Sequence, residues 1–323
     1  MCTAVAYKTK GFYFGRTLDS ECIYPSEITI TPRRFPLDFR LVEKSDQHLA
    51  FFGMAYVKDD FPLYFDGMNE KGLAVAGLNF VGNAVYHKAE SGKENIASFE
   101  FIPYILSRCA SVKEAKNLLE NINISDVAFD KTLPPSSLHW LIGDKDESVV
   151  VESLSEGVKV YENPLGVLTN NPPFDAQLLN FRKYAELTST YKEKRDDNTL
   201  YSSFTRGEGA FGLPGDYTSQ SRFVRAAFLK ENSPSQIDEK DSVNQFFHIM
   251  NGVSLPKGAC KTETGADDFT RYVCCMSAEE LSYCCKVYEG QSVFKVSVKK
   301  ENLDTDALER YPLENENKIV SVN

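Results

Sequence analysis

The 323-residue chain reads as an α+β protein built on antiparallel sheets. Three features predict this: strands and helices come in blocks, hairpin-length turns join the strands, and the chain opens on a hairpin. A doubly wound parallel sheet would instead need a crossover after each strand. In order, TAVAY alternates, KTKG supplies a turn and FYFG returns. Residues 27–33, 49–57 and 72–80 give further strands, and PLYFDGMNEKG between the last two reads as turn-rich. SFEFIPYILSRCASVKEAKNLLENI has helical apolar spacing and predicts two helices broken near Ala110 and Ser111, with Ser111 capping the second. Strands return at SLHWLIGD, ESVVVES and VKVYEN, then at GVLTNNPP, where a proline pair ends the ladder. Residues 174–188, 218–231 and 241–251 read as helices, and Arg271 to Lys299 as strands. The polar stretch 190–216 is expected to be a loop within a single domain spanning 1–323.

Composition sets the outer limits. Hydrophobic residues make up 42% and charged residues 25%, which suits a large core and excludes disorder. A net charge of −10 repels nucleic acid and anionic membranes, so neither is an expected partner. Any anionic substrate must then be held by local cations. No apolar run approaches the ~20 residues of a membrane span, and MCTAVAYKTK lacks the order of a signal peptide. The expected setting is the cytoplasm. Eight cysteines include the adjacent pairs Cys274 with Cys275 and Cys284 with Cys285. Neighbours on a strand point to opposite faces, so neither pair converges on one ion, although a cross-strand cluster stays open. Reduced, half-buried thiols are expected. His48, His87, His139 and His248 match no zinc spacing and read as ordinary surface or core residues.

The chemistry concentrates at the start. Cys2 follows Met1, whose removal is usual before so small a side chain, and the mature chain is expected to begin at Cys2 with a thiol and a free α-amine on one residue. Such an amine titrates near ~7.7–8.0, so it can serve as the thiol's base. If the first hairpin turns near Thr9 and Lys10, the residues opposite Cys2 lie at about Arg16 to Leu18. Arg16 would there favour the thiolate and Asp19 would orient the terminal ammonium, whereas a surface ion pair is the plainer reading of both. Amide cleavage also needs oxyanion donors. Asn79 and Asn170 sit where strands end, though each also suits a turn. If Thr218 caps a helix, Arg222 lies at or just beyond its first turn, where the macrodipole disfavours a cation. A carboxylate or an anionic substrate would offset that, and Arg225 one turn on reads as a solvated face.

Seven blocks in order, MCTAVAY, FGRTLDSE, ITPRRF, GMNEKGLAVAGLNF, VLTNNPPFDAQLLN, GLPGDYTSQSRFVRA and FFHIMNGVSLPKGA, resemble the choloylglycine hydrolase family of N-terminal-nucleophile hydrolases. That family includes bile salt hydrolases and penicillin V acylases. The resemblance implies a four-layer αββα sandwich, homotetramer assembly and cleavage of a non-peptide amide through a thioester, with no metal or organic cofactor. Carried over, Cys2 is the nucleophile, Arg16 and Asp19 tune and orient it, Asn79 (main-chain N–H) and Asn170 (side chain) form the oxyanion hole, and Arg222 completes the network. Asn at position 79, where penicillin V acylases typically carry Tyr, points to conjugated bile acids over penicillin V or N-acyl homoserine lactones. A steroid acid needs a wide apolar pocket, for which Leu18, Phe61, Phe65, Phe129 and Leu133, on expected turns or loops, are candidates alongside ordinary core packing. A non-catalytic carrier of apolar ligands is the alternative outside the enzymes.

Overall fold

The computed structural model describes residues 1–43, 47–191, 205–235, 238–313 and 321–322. Strands β1 (Cys2–Lys8) and β2 (Phe12–Ser20) form the opening hairpin. The strands β3 (Glu27–Thr31), β4 (Phe51–Lys58), β5 (Phe61–Asn69) and β6 (Ala74–Asn79) follow as a meander. A short parallel pair, β7 (Glu94–Ala97) and β8 (Ile122–Ser125), brackets helices α1 (Phe101–Arg108) and α2 (Val112–Leu119). Then come β9 (Leu138–Gly143), β10 (Ser148–Leu154), β11 (Gly157–Glu162) and β12 (Val167–Leu168). Helices α3 (Phe174–Phe181), α4 (Ser219–Glu231) and α5 (Glu239–Asn251) precede β13 (Phe269–Ser277), β14 (Ser282–Val287), β15 (Phe294–Ser297) and β16 (Glu309–Tyr311).

Two antiparallel sheets result, ordered β12-β1-β2-β13-β14-β15 and β11-β10-β9-β6-β5-β4-β3-β16. Period-two alternation makes both of them two-faced. In the larger sheet Phe52, Met54, Met68, Ala76 and Leu141 join the core shared with the smaller sheet. Their neighbours Phe51, Ala55, Val75, Trp140 and Ile142 join a second core under α1 and α2. Phe101 of α1 stacks on Trp140 with ring centroids 4.1 Å apart. On the smaller sheet, α4 and α5 cover the outer face, where Tyr7 meets Phe246. The layers are therefore α, β, β and α.

Most elements fall where the sequence places them, including Ser111 as the cap of α2, accepting from the Glu114 N–H. Two expectations are corrected. PLYFDGMNEKG is largely the central strand β5, tolerated because β6 pairs with it only from Asp66 to Met68, leaving no ladder partner on that side at Pro62. The helix expected over 174–188 stops at Phe181 and tightens into a 3-10 turn at Arg182–Tyr184. Of the expected loop 190–216, residues 192–204 lie outside the described residues, and a 3-10 turn occupies Glu208–Ala210. No helix among the described residues is long and apolar enough to cross a membrane.

Candidate active site

Strand pairing brings the site together. Cys2 lies opposite Leu18 and Ala4 opposite Arg16 across the first hairpin, within the range that residue counting gives. On the other flank Ala4 pairs with Leu168, so the chain leaving β12 carries Asn170 to the start of β1. By the pleat, Cys2, Arg16 and Leu18 share the face turned to the larger sheet, and Asp19 lies on the face covered by α4. Arg16 thus serves the thiol side, and Asp19 and Arg222 the main-chain side.

The Cys2 N–H donates to Asn170 Oδ1 at 2.8 Å, and Arg222 Nη2 donates to the same oxygen at 2.7 Å. Asn170 Nδ2 donates to the Asn79 carbonyl at 2.8 Å. Two donors on Oδ1 fix the amide, because a flip would set its NH2 against both. Nδ2 keeps a second hydrogen for another acceptor. Arg222 also grips the Cys2 carbonyl at 2.5 Å, Thr3 Oγ1 at 2.6 Å and the Tyr217 carbonyl at 3.0 Å. Its hydrogen-bond partners are neutral oxygens where the sequence suggested a carboxylate or an anion. Burial lowers the Arg222 pKa, against the opposing pull of Asp19 and Cys2. Thr218 does cap α4, accepting from the Ser221 N–H.

Asp19 is fully buried and accepts from Thr270 Oγ1 at 2.6 Å and from Thr17 Oγ1 at 3.1 Å. Burial raises its pKa, against Arg222 and the terminal ammonium. The Met1 amine donates to the Asp19 carbonyl at 2.9 Å and pairs with the Asp268 carboxylate at 3.1 Å. While Met1 is present, the ammonium's carboxylate partner is therefore Asp268 and not Asp19. Burial by itself would lower that amine's pKa, but Cys2, Asp19 and Asp268 outweigh it and the net direction is up.

Arg16 owes its socket to an irregularity in β5. Pairing with β4 slips between Met54 and Ala55, so Phe65 is an extra residue with no partner opposite. Gly53 makes room, since a Cβ there would lie 2.0 Å from the Asp66 carbonyl. The freed Phe65 carbonyl accepts from Arg16 Nη1 at 2.9 Å, as does the Gly77 carbonyl at 2.5 Å. Asp66 turns inward beside them, accepting from Tyr272 at 2.5 Å and Tyr283 at 2.8 Å. Burial would lower the Arg16 pKa, but Cys2, Tyr272 and Asp66 together hold it up. Among the described residues, its Nη2 is buried without a hydrogen-bond partner.

A cavity of about 380 Å³ opens over Cys2, Arg16 and Asn79, walled by Leu18, Phe65, Phe129 and Leu133. Four of the five expected pocket residues therefore line it. Phe61 stands behind, packed edge-on to Phe99 and against Phe129. Leu18, Phe61 and Phe65 lie on strands, where turns or loops were expected. Tyr24, Tyr56, Phe99 and Leu138 also line it without any signal in the sequence, since only the folded sheets bring them together. A wider groove of about 620 Å³ lies at the far end of β1, between charges of both signs and away from the thiol.

A buried cysteine next to the terminal residue, an asparagine and an arginine bound to its main chain, and an apolar cavity over its thiol describe a site suited to acyl transfer. The model of the linear amide C–N hydrolases, choloylglycine hydrolase family, matches residues 2–311. The chain belongs to this family. It is 46% identical to a bile salt hydrolase/transferase of Lactiplantibacillus plantarum, with all of both chains aligned. It is 38% identical to a bile salt hydrolase/transferase of Clostridium perfringens, over 100% of this chain and 99% of the other. The crystal structure of the C2A mutant of the Clostridium perfringens conjugated bile acid hydrolase superposes with a TM-score of 0.92, at 35% identity over 100% of both chains. Penicillin V acylase from Agrobacterium tumefaciens shares the fold, with a TM-score of 0.78 at 21% identity over 96% of this chain and 90% of that one. As a member of the choloylglycine hydrolase family the chain has the N-terminal-nucleophile αββα sandwich, and it is a hydrolase of linear amide C–N bonds.

One residue near this family site differs from the sequence reading, and another has contacts it did not foresee. Arg225, expected on a solvated face, is buried and donates to the carbonyls of Gly252, Pro214 and Asp216, tying the segment before α4 in place. His139, expected to be an ordinary surface or core residue, is a core residue, fully buried beside Glu152 and in contact with the Thr169 carbonyl. A lone histidine inside a strand gives no sequence signal of such a contact.

Proposed function

We propose that the chain hydrolyses the amide bond of glycine- or taurine-conjugated bile acids, with Cys2 as nucleophile once Met1 is removed. The observation that carries the mechanism is the double hold on Cys2: its nitrogen on Asn170 Oδ1 and its carbonyl on Arg222, with the apolar cavity opening over the thiol. The substrate class follows the printed names of the aligned relatives and the residue Asn79.

Loss of Met1 turns the Cys2 nitrogen into a primary amine. That amine takes the Sγ proton, and the thiolate attacks the amide carbonyl carbon. The oxyanion that forms is met by the second Nδ2 hydrogen of Asn170 and by the Asn79 N–H. Collapse breaks the C–N bond, the ammonium gives its proton to the leaving amine, and an acyl thioester remains. Water, deprotonated by the same amine, then frees the acid and restores the thiol. Arg16 stabilises the thiolate, Asp19 orients the terminal ammonium, and Arg222 holds the main chain of the hairpin. Among the described residues Arg16 is the sole cation lining the cavity, which suits a steroid acyl group inside and the glycine or taurine end toward solvent.

The same reading takes 1–323 as one domain, cytoplasmic, acting as a homo-oligomer, expected as a tetramer. Exposed Ile23, Val81 and Phe211 are apolar side chains that an assembly would cover, and light scattering in solution tests this. The function is tested by amine release from glycocholate and taurocholate beside penicillin V, using protein whose Met1 loss is confirmed by mass. Release from the bile salts supports the reading. Release from penicillin V alone keeps the mechanism and overturns the substrate.

A further inference from the structure

We infer that His139, held by Glu152, is a positioning residue that fixes the spacing of Asn79 and Asn170. The inference rests on the oxyanion roles proposed above for those two asparagines. His139 lies on β9 directly opposite Leu78, and its neighbour Leu138 lies opposite Asn79. Its ring stacks on Phe80, the residue after Asn79, with centroids 4.3 Å apart and planes at 8°. Its Nε2 is 2.9 Å from the carbonyl of Thr169, the residue before Asn170. One buried imidazole therefore touches both chain segments that present the donors.

The proton pattern of the ring is forced. A carbonyl only accepts, so Nε2 carries a hydrogen. Nδ1 is 3.2 Å from Glu152 Oε1, an oxygen that also accepts from the Phe174 N–H at 2.9 Å. One proton therefore lies between Nδ1 and Oε1, as an imidazolium on a carboxylate or as a neutral ring accepting from a carboxylic acid. Both forms keep the Nε2 hydrogen on Thr169, and the tautomer with a bare Nε2 is ruled out. Both side chains are fully exposed to nothing but protein, at 0% accessibility, so a lost partner would leave a buried polar group unsatisfied. Among the described residues Glu152 Oε2 has no partner, which leaves His139 and the Phe174 amide as the groups its carboxylate holds.

Other ties of the Asn170 segment run to α4, to Gln177 of α3, which donates to the Asn170 and Asn171 carbonyls at 3.3 Å, and to the Val81 carbonyl, which accepts from Asn171 Nδ2 at 2.7 Å. Asn170 N donates to Ser219 Oγ at 2.8 Å, and Ser219 Oγ donates to Thr169 Oγ1 at 2.9 Å. The Ser219 bonds fix the segment relative to Arg222 but not relative to Asn79. The link to Asn79 is the Asn170 Nδ2 bond to its carbonyl, made by the same amide that must serve the oxyanion. Beside the exposed Asn171–Val81 bond, His139 supplies a buried link that spends no catalytic donor.

The test replaces His139→Gln and, with the ring retained, Glu152→Gln. In steady-state amine release from glycocholate, kcat should fall about 10²-fold in His139→Gln, the cost of misplacing a reacting group by ~1 Å. KM should stay within about two-fold, since the donors act on the transition state. Alkylation of Cys2 by iodoacetamide should keep its parent rate, because the thiol and Arg16 are untouched. In an Asn170→Ala background the same change should cost less than about three-fold more, because the two act through one group. A folded His139→Gln or Glu152→Gln protein with kcat within about three-fold of the parent overturns the inference, as does a full loss added on top of Asn170→Ala. If His139→Gln does not fold, Glu152→Gln decides alone. If the parent releases no amine from glycocholate, the substrate reading has failed, and the crystal structure of the variant decides instead. An Asn170 side chain displaced by about 1 Å supports the positioning role, and an unmoved one overturns it.

Discussion

Cys2 and the four cysteines of the β13–β14 hairpin belong to one sheet, and all five are buried, yet their surroundings are opposite. Around Cys2 stand two buried arginines, an asparagine amide and the terminal amine. The hairpin sets Cys274 opposite Cys285 and Cys275 opposite Cys284, with free thiols packed among apolar side chains. Burial pushes Cys274, Cys275 and Cys285 well above the ordinary thiol range and Cys284 to about 11. In the hairpin desolvation outweighs the pull of Lys295 on Cys275 and Cys284, whereas two buried arginines flank Cys2. The difference lies in the partners, since depth is common to both.

The sharpest way to break this contrast is Cys2→Ala, which should cut amine release by roughly 10⁴-fold or more while leaving the melting temperature within a degree or two of the parent. A variant that retains turnover would return the reactive thiol to another position. Next in size, Asn170→Ala should lower kcat about 10²–10³-fold, the loss of one oxyanion donor, with the Cys2 thiol still alkylated. Cys285→Ser inverts the test. It buries a hydroxyl in an apolar setting and should cost about 1–3 kcal/mol in a denaturant titration, with kcat within two-fold. If it silenced the enzyme, the hairpin thiols would have a part in the chemistry.

The smallest expected effect concerns the lead into α4, which positions Arg222. Asp216 accepts from the Thr218 and Ser221 side chains, and these bonds, with the Thr218 N–H, lower its pKa to about 2. A depressed carboxyl contributes stability that is present above its unfolded value near 3.8 and lost as the pH falls through about 2. Asp216→Asn should therefore lower the melting temperature slightly at pH 7, and the gap to the parent should close between pH 4 and pH 2. A gap that persisted at pH 2 would assign the effect to packing.

The placement of Cys2 and its flanks was legible because a hairpin turns on local rules. A short turn fixes Arg16 and Leu18 near Cys2, and a proline pair ends the strand that delivers Asn170. Helix caps at Ser111 and Thr218 were equally local. What escaped was set by distant pairing. β5 looked like a turn because Pro62, Asp66 and Gly67 each weaken a strand signal, and their tolerance depends on where β6 begins to pair. Arg222 looked like a charge seeking an anion and Arg225 like part of a solvated face, but bent chain segments met both with carbonyls. His139 carried no pattern, because its meaning comes from Phe80 and Thr169, which are 59 and 30 residues away.

The extra residue in β5 separates two jobs that most pocket residues combine. Phe65 shows its ring to the cavity and its carbonyl to Arg16. Any amino acid with a main-chain carbonyl can do the second job, so position 65 is free to change size or polarity to suit a different acyl group without disturbing the thiol's cation. Removing the residue altogether would do the reverse, giving a more regular ladder and an arginine without its socket. Selection on substrate range can therefore act at this position by substitution, and selection on chemistry preserves only its presence.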